Sequence, residues 1–231
     1  MEKVRTVSDT KRDFYAHHTR PINSIYRRVV EELIVELHLL SVNQNFRVDP
    51  IYCLGVVTSF DRFMQGYRPE EDKASILASL CQAVGGKLEQ YRDHANQVLN
   101  LAKRLHGVDD LLAWFKHPQP VEGEFALAEA VSAIALNQSF KYSRMFGIGL
   151  YTMLGEKNLE LLQDKPARDK ITAQFAEVLP VSSDKLQKDF ELYQANLEKM
   201  KQMIIVVEEA LEAERKKRAK KSLELETKKD D

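Results

Sequence analysis

The sequence predicts an all-α protein, a multi-helix globular bundle that continues into a long C-terminal coiled-coil-like helix. Three observations predict it. Glycine (9) and proline (7) are scarce among 231 residues, whereas a β-sandwich or barrel of this length needs many turn residues. Apolar residues recur at steps of three and four through each long segment, and no window alternates as a strand does. After Pro180 the chain holds neither glycine nor proline to its end.

Taken in order, the opening stretch MEKVRTVSDTKRD alternates charge and polarity around no apolar core, so no secretory signal is expected. From Pro21 to Val42, Ile22, Ile25, Tyr26, Val29, Val30, Leu33, Ile34, Leu37 and Leu40 make one face, with Arg27, Arg28, Glu31, Glu32 and Glu36 largely opposite. That spacing predicts a half-buried helix with Pro21 in its first turn, where a missing N–H costs nothing. Asp49-Pro50 is an N-cap acceptor followed by proline at the first helical position, and that helix runs to about Met64 and stops at Gly66. Arg68-Pro69-Glu70-Glu71-Asp72 opens a third helix with carboxylates at its positive end, closed by Gly85-Gly86. Leu88 to Leu105 reads as a fourth helix closed by Gly107, and Val108 to Lys116 as a short fifth. Pro118 and Pro120 mark the clearest internal break.

From Phe125 to Gly155 only Glu129, Lys141 and Arg144 are charged. A helical stretch apolar nearly all round belongs at the centre of a bundle, and Gly147 and Gly149 predict a kink or a tight crossing within it. Asp164-Lys165-Pro166 begins another helix, which ends at Pro180. Past the cap Ser182-Ser183, Leu186, Phe190, Tyr193, Leu197, Met200, Ile204, Val207 and Leu211 follow an unbroken heptad pattern. A helix of some 40 residues is ~60 Å long. The sequence thus divides into a globular domain (1–180), a long helix (181–226, heptads 186–211) and a frayed tail (227–231). The strict register suits a partner helix and self-association through 186–211. The width of the run Met203 to Val207 suits packing across the helical body instead.

Lys plus Arg (34) and Asp plus Glu (35) nearly cancel, which excludes nucleic-acid binding by the whole molecule. Two cysteines, Cys53 and Cys81, build no disulfide framework and point to a reducing compartment. The longest run without a charged side chain is Ala74 to Gly86, 13 residues, and a membrane-spanning helix needs about 20.

The catalytic patterns that spacing along the chain can reveal are absent, while Ser-His-Asp or Cys-His arrangements, whose partners meet only in space, stay open. Gly147-Ile148-Gly149 lacks the third glycine and the preceding strand of a dinucleotide loop. The Glu-x-x-His pattern of di-iron bundles fails, because Val35, Tyr91 and Lys103 stand three residues before His38, His94 and His106. No cofactor or metal is expected, and the reading is not that of an enzyme. Tyr15, His18, Arg20, Tyr26, Arg27 and Arg28 crowd the start of the first long helix with side chains that interfaces favour; equally, they cap and solvate that helix start. Arg215, Lys216, Lys217, Arg218, Lys220 and Lys221 concentrate positive charge beyond the apolar seam. Pairs such as Glu212–Lys216 fit a self-paired solvated helix, and the cluster is equally a candidate electrostatic contact for an anionic membrane surface or an acidic partner. An alternative reading is a small-molecule site or enzyme pocket near Lys141, Tyr142 and Arg144, lined also by Tyr15 or His18.

The stretches YAHHTRPINSIYRRVVEELIVELHLLSVN, DPIYCLGVVTSFDRFMQGY, ASILASLCQAVGG and FKYSRMFGIGLYTMLG resemble the thylakoid-formation protein family, over roughly residues 3 to 211. The charged tail after Leu211 carries no motif of that family. The resemblance implies an origin in an oxygenic phototroph, a cyanobacterium or a processed plastid protein. It also implies a role in thylakoid membrane formation and in assembly and repair of photosystem II. Implied partners are FtsH-type thylakoid proteases or photosystem II assembly intermediates. The implied location is peripheral on the cytoplasmic face of the thylakoid membrane or in the soluble cytoplasm; for a plant protein it is the chloroplast stroma or thylakoid. The family carries no established catalytic residue, so none is transferred.

Overall fold

The computed structural model describes residues 5–120 and 125–227, which form eleven helices and, among the described residues, no strand. Short polar side chains set most of the starts, by accepting from backbone N–H groups that have no partner inside the helix. Helix α1 (Val7–His17) begins on a capping box in which Thr6 and Asp9 each accept from the other's backbone N–H. Helix α2 (Ser24–Ser41) is capped by Asn23, whose side chain accepts from Ile25 at 3.1 Å. Helix α3 (Pro50–Phe63) is capped by Asp49, accepting from Tyr52 at 2.9 Å. Then follow α4 (Asp72–Ala83), α5 (Leu88–Arg104), α6 (Val108–Lys116) and α7 (Phe125–Leu136). Helix α8 (Arg144–Lys157) starts on Ser143, α9 (Leu159–Gln163) on Asn158, and α10 (Lys165–Val178) on Asp164. Helix α11 (Ser183–Thr227) closes the chain.

Several boundaries correct the sequence reading. Helix α1 is an addition: its buried face is only Thr10 and Phe14, too narrow a stripe to announce itself. Helix α2 starts after Asn23 rather than at Pro21, because an asparagine cap outcompetes a proline two residues earlier. Glu70 and Glu71 precede α4, and only Asp72 lies in its first turn. Gly107 is the N-cap of α6 rather than the stop of α5. The apolar run from Phe125 to Gly155 is not one helix. It breaks over 137–143, where the Asn137 side chain accepts from the Ser139 N–H at 2.9 Å and Ser143 caps the next helix; both offer the backbone a turn in place of helical bonds. Lys141 and Tyr142 therefore sit in a loop, and Arg144 is the first residue of α8.

Helices α3 and α8 form the centre and pack most extensively on each other, with α5 against both. Their crossing is a backbone contact. A Cβ on Gly55 of α3 would stand 1.7 Å from the Met145 carbonyl oxygen, and one on Gly149 of α8 would stand 2.1 Å from the Ile51 carbonyl oxygen. The tight crossing expected near Gly149 is thus present, and it needs glycine on both helices. Around this pair, α1 lies on α4 and α2, and α6 lies on α10, where Phe115 and Phe175 meet edge to face at 5.2 Å.

The chain forms two compact units, Met1–Leu192 and Tyr193–Asp231. The first ten residues of α11 belong to the first unit: Leu186 and Phe190 are buried, and Phe190 meets the Tyr151 ring at 5.2 Å. The heptad seam therefore begins as intramolecular core, and its first two positions are not open to a partner helix. In the second unit the chain is helical through Thr227, with Ile205 and Val206 exposed. Residues 228–231 of the expected frayed tail lie outside the described residues.

Candidate functional site

The outer side of α2 is one wall of a groove in the first unit. Val30, Leu33, Ile34 and Leu37 bury one face of this helix, and the 3.6-residue period turns Arg27, Arg28, Glu32 and Leu39 outward. The opposite wall comes from the 137–143 loop, the start of α8 and the first turns of α11. Aromatic contacts fix that loop, with Phe140 and Tyr142 standing edge-on to Phe146 at 5.1 and 6.2 Å. Tyr142 lies over Gly147, where a Cβ would come within 2.4 Å of its hydroxyl oxygen. The Tyr142 hydroxyl donates to Asp189 Oδ2 at 2.8 Å. Lys185, one turn earlier on α11, holds its ammonium 5.0 Å from the Tyr142 ring centroid.

Arg144 joins the two walls. Its Nε donates to both carboxylate oxygens of Glu36 at 3.3 and 3.2 Å, and a terminal guanidinium nitrogen closes on the same carboxylate. The hydrogen bond to Glu36 holds the Arg144 charge more firmly than usual, outweighing desolvation. Burial and then the Asp189 carboxylate push the Tyr142 hydroxyl far up, so it stays a donor. The space between the walls is an open groove of about 1070 Å³.

Charge in the groove is unevenly settled. Glu31 pairs with Lys11 at 3.2 Å, Glu32 with Arg28 at 3.0 Å and Glu36 with Arg144, while Asp189 accepts from Tyr142. Arg27, Lys141 and Lys185 line the groove, and among the described residues no carboxylate lies within ion-pairing distance of them.

Of the interaction residues expected near the first long helix, Arg27 and Arg28 line the groove. Tyr15 is exposed at its margin, its hydroxyl 3.5 Å from Glu31. Arg20 reaches back to the buried Asp72 at 2.6 Å. His18 and Tyr26 are corrections: both are buried. The His18 Nδ1 meets Ser75 Oγ at 3.0 Å, and the Tyr26 hydroxyl donates to the Gln65 carbonyl at 3.0 Å. Each holds neighbouring elements together. Of the basic cluster, Lys216 is exposed; the side chains of Arg215, Lys217, Arg218, Lys220 and Lys221 lie outside the described residues.

Lys141, Tyr142 and Arg144 do come together in the groove, with neither Tyr15 nor His18 beside them. Sequence reasoning misses Lys11, Glu36, Lys185 and Asp189 as members. Lys185 and Asp189 stand one residue before the buried Leu186 and Phe190, and nothing local marks them. Elsewhere, Cys53 Sγ lies 3.6 Å from His94 Nδ1. Burial raises the Cys53 thiol well above its ordinary range and pushes Cys81 up to about 12, the opposite of an activated thiolate. Among the described residues no group of three His, Cys, Asp or Glu side chains is placed to hold a metal ion.

Comparison with known proteins adds the following. The chain matches the family profile described as Thylakoid formation protein over residues 6–222. It is 58% identical to Protein Thf1 of Rippkaea orientalis over 228 residues, covering 98% of this chain and 97% of the relative. It is 46% identical to Protein Thf1 of Synechocystis sp. over 224 residues, covering 96% of this chain and 92% of that one. A solved structure described as "Structure of Psb29 at 1.55A" is similar at a TM-score of 0.78 and 41% identity, covering 93% of this chain and 99% of that chain.

Proposed function

The chain belongs to the thylakoid formation protein family, and from that membership we propose that it is a non-enzymatic auxiliary factor of thylakoid biogenesis and of photosystem II assembly and repair. It acts by protein–protein contacts that support FtsH-type thylakoid proteases, from a peripheral position on the cytoplasmic face of the membrane. Among the described residues no helix is long and apolar enough to cross a membrane, and the reading brings the protein to the thylakoid through its partners.

The observation that carries this reading is the state of the groove. Each of its carboxylates already has a cation or hydroxyl partner, and its tyrosine is held protonated. A general acid or base needs a free position facing a substrate proton; here the carboxylates are engaged with partners and the Tyr142 hydroxyl is held as a donor. What the groove offers a visitor is exposed charge and exposed leucine, which are contact groups.

The test is made in cells. Deleting the gene is expected to lower the FtsH-type protease complexes in thylakoid membranes and to slow recovery of photosystem II after strong light. Protease complexes that accumulate to the parental level would defeat the proposed link.

A further inference from the structure

Arg27, Lys141 and Lys185 have no carboxylate within ion-pairing distance among the described residues, and with six cations and four carboxylates lining it the groove as a whole holds two positive charges in excess. Arg27 stands near the start of that helix and Leu39 near its end, twelve residues apart and hence ~18 Å at 1.5 Å per residue. Leu39 is 58% exposed, with half-buried Val35 one turn before it. Lys141 and Lys185 flank the same space from the opposite wall. The groove thus runs three to four helical turns along α2, with an apolar patch one turn long, Val35 and Leu39, toward one end.

We propose that this groove receives an acidic amphipathic helix of a partner protein, with its carboxylates against Arg27, Lys141 and Lys185 and its apolar side chains against Val35 and Leu39. Openness argues for a macromolecular segment, since the space of about 1070 Å³ is an open groove and not the enclosing cleft that buries most of a small ligand. Its length suits the helix-in-groove mode, with anchors at helical spacing. Charge selects the sign: a basic segment would meet three unpaired cations, while an acidic one supplies their missing partners. Shape speaks against an anionic lipid surface. The cations line a concavity between α2 and the opposite wall, which a helix can enter and a flat surface cannot.

The inference rests on the reading of the groove as a protein-docking surface. It is tested in vitro, apart from the protease link, with the full chain and three labelled helical peptides. These share one leucine seam and carry Glu, Gln or Lys at every flanking position. Fluorescence anisotropy is expected to show the Glu peptide bound about ten-fold more tightly than the Gln peptide, with the difference shrinking as salt screens the charges. The double variant Arg27→Glu, Lys141→Glu should lose about ten-fold in affinity for the Glu peptide. Lys116→Glu, exposed on α6, should lose none. Circular dichroism melts of both variants check folding. Equal binding of the Glu and Lys peptides, or unchanged binding by the double variant, overturns the proposal. So does binding to phosphatidylglycerol vesicles through the same residues without binding to the Glu peptide. Normal peptide binding together with unaltered protease levels in the deleted cells would leave the docking site standing and remove the protease.

Discussion

Gly55 and Gly149 carry the largest consequence of any single side chain, because each is opposed by a carbonyl of the facing helix rather than by a movable side chain. Gly55→Ala or Gly149→Ala must push α3 and α8 apart along their whole contact. Each is expected to cost about 3 kcal/mol, at the upper end of overpacking effects, read as a lower midpoint in urea. Gly155→Ala, on the same helix α8 but with only side-chain carbons, the nearest an ordinary 3.6 Å from an added Cβ, is the control. Asp49 is a second residue with a definite expectation. Burial pushes its carboxyl up to about 7, against the backbone N–H bonds from Tyr52 and Ile51 that favour the charge. Its folded value lies above its unfolded one, so its stabilising contribution is complete below the unfolded value near 4 and is lost as pH rises through about 7. Asp49→Asn keeps a cap acceptor without the charge. That variant should gain about 1 kcal/mol on the parent between about pH 6 and pH 8, whereas Asp49→Ala should lose stability at both. Parallel curves for parent and Asp49→Asn would show the carboxyl ionised throughout.

Helix α1 is fastened by groups with a common pH response. Thr10 Oγ1 on α1 meets Nδ1 of the buried His38 on α2 at 2.9 Å, and His18 at the end of α1 meets Ser75 on α4. Arg5 pairs with Asp13 and donates to the Ala83 carbonyl at 2.7 Å. Desolvation lowers both histidines; Asp72 opposes the shift at His18, and Arg5 reinforces it at His38. Folded values below unfolded ones mean that this stability is present above about pH 6.5 and lost as pH falls through the folded values. Hydrogen-exchange protection factors of α1 should therefore fall more between about pH 7.5 and pH 5.5 than those of α3, and a uniform change across both helices would contradict this. The same helix shows what the sequence conceals. Its start signal is present, but as Thr6-x-x-Asp9 rather than the commoner Ser/Thr-x-x-Glu, and it precedes a segment with almost no apolar stripe. Asn137 and Ser143 likewise announce the break between α7 and α8, yet the apolar residues on either side outweigh them in any count of periodicity.

At the scale of the molecule, the heptad seam ends at Leu211, and the positions that would continue it are Glu214, Arg218 and Lys221. Deleting 212–231 should leave the melting temperature of the Met1–Leu192 unit within about 1 °C of the parent, since the segment adds no apolar seam position. A larger fall would assign this segment a part in the fold. The all-α class, the position of nearly every long helix and the central place of α8 are legible in the chain. The groove is legible only in fragments. Arg27, Arg28, Lys141, Tyr142 and Arg144 stand out by residue type in two separate stretches, and no local feature joins those stretches or attaches Lys185 and Asp189 to them.

The sequence by itself determined what local free energies determine. A capping side chain, a proline at a first turn or a repeated apolar step acts within a few residues, so helix starts such as Asp49, Asp164 and Ser182 and the length of α11 follow from neighbours alone. Only the tertiary structure decided which polar residues are interior, as with His18 and Tyr26. It alone set two glycines against backbone carbonyls, and it brought Tyr142 to Asp189 across 47 residues of chain. Those outcomes depend on contacts between segments far apart in sequence, and their energies exist only once the helices have packed.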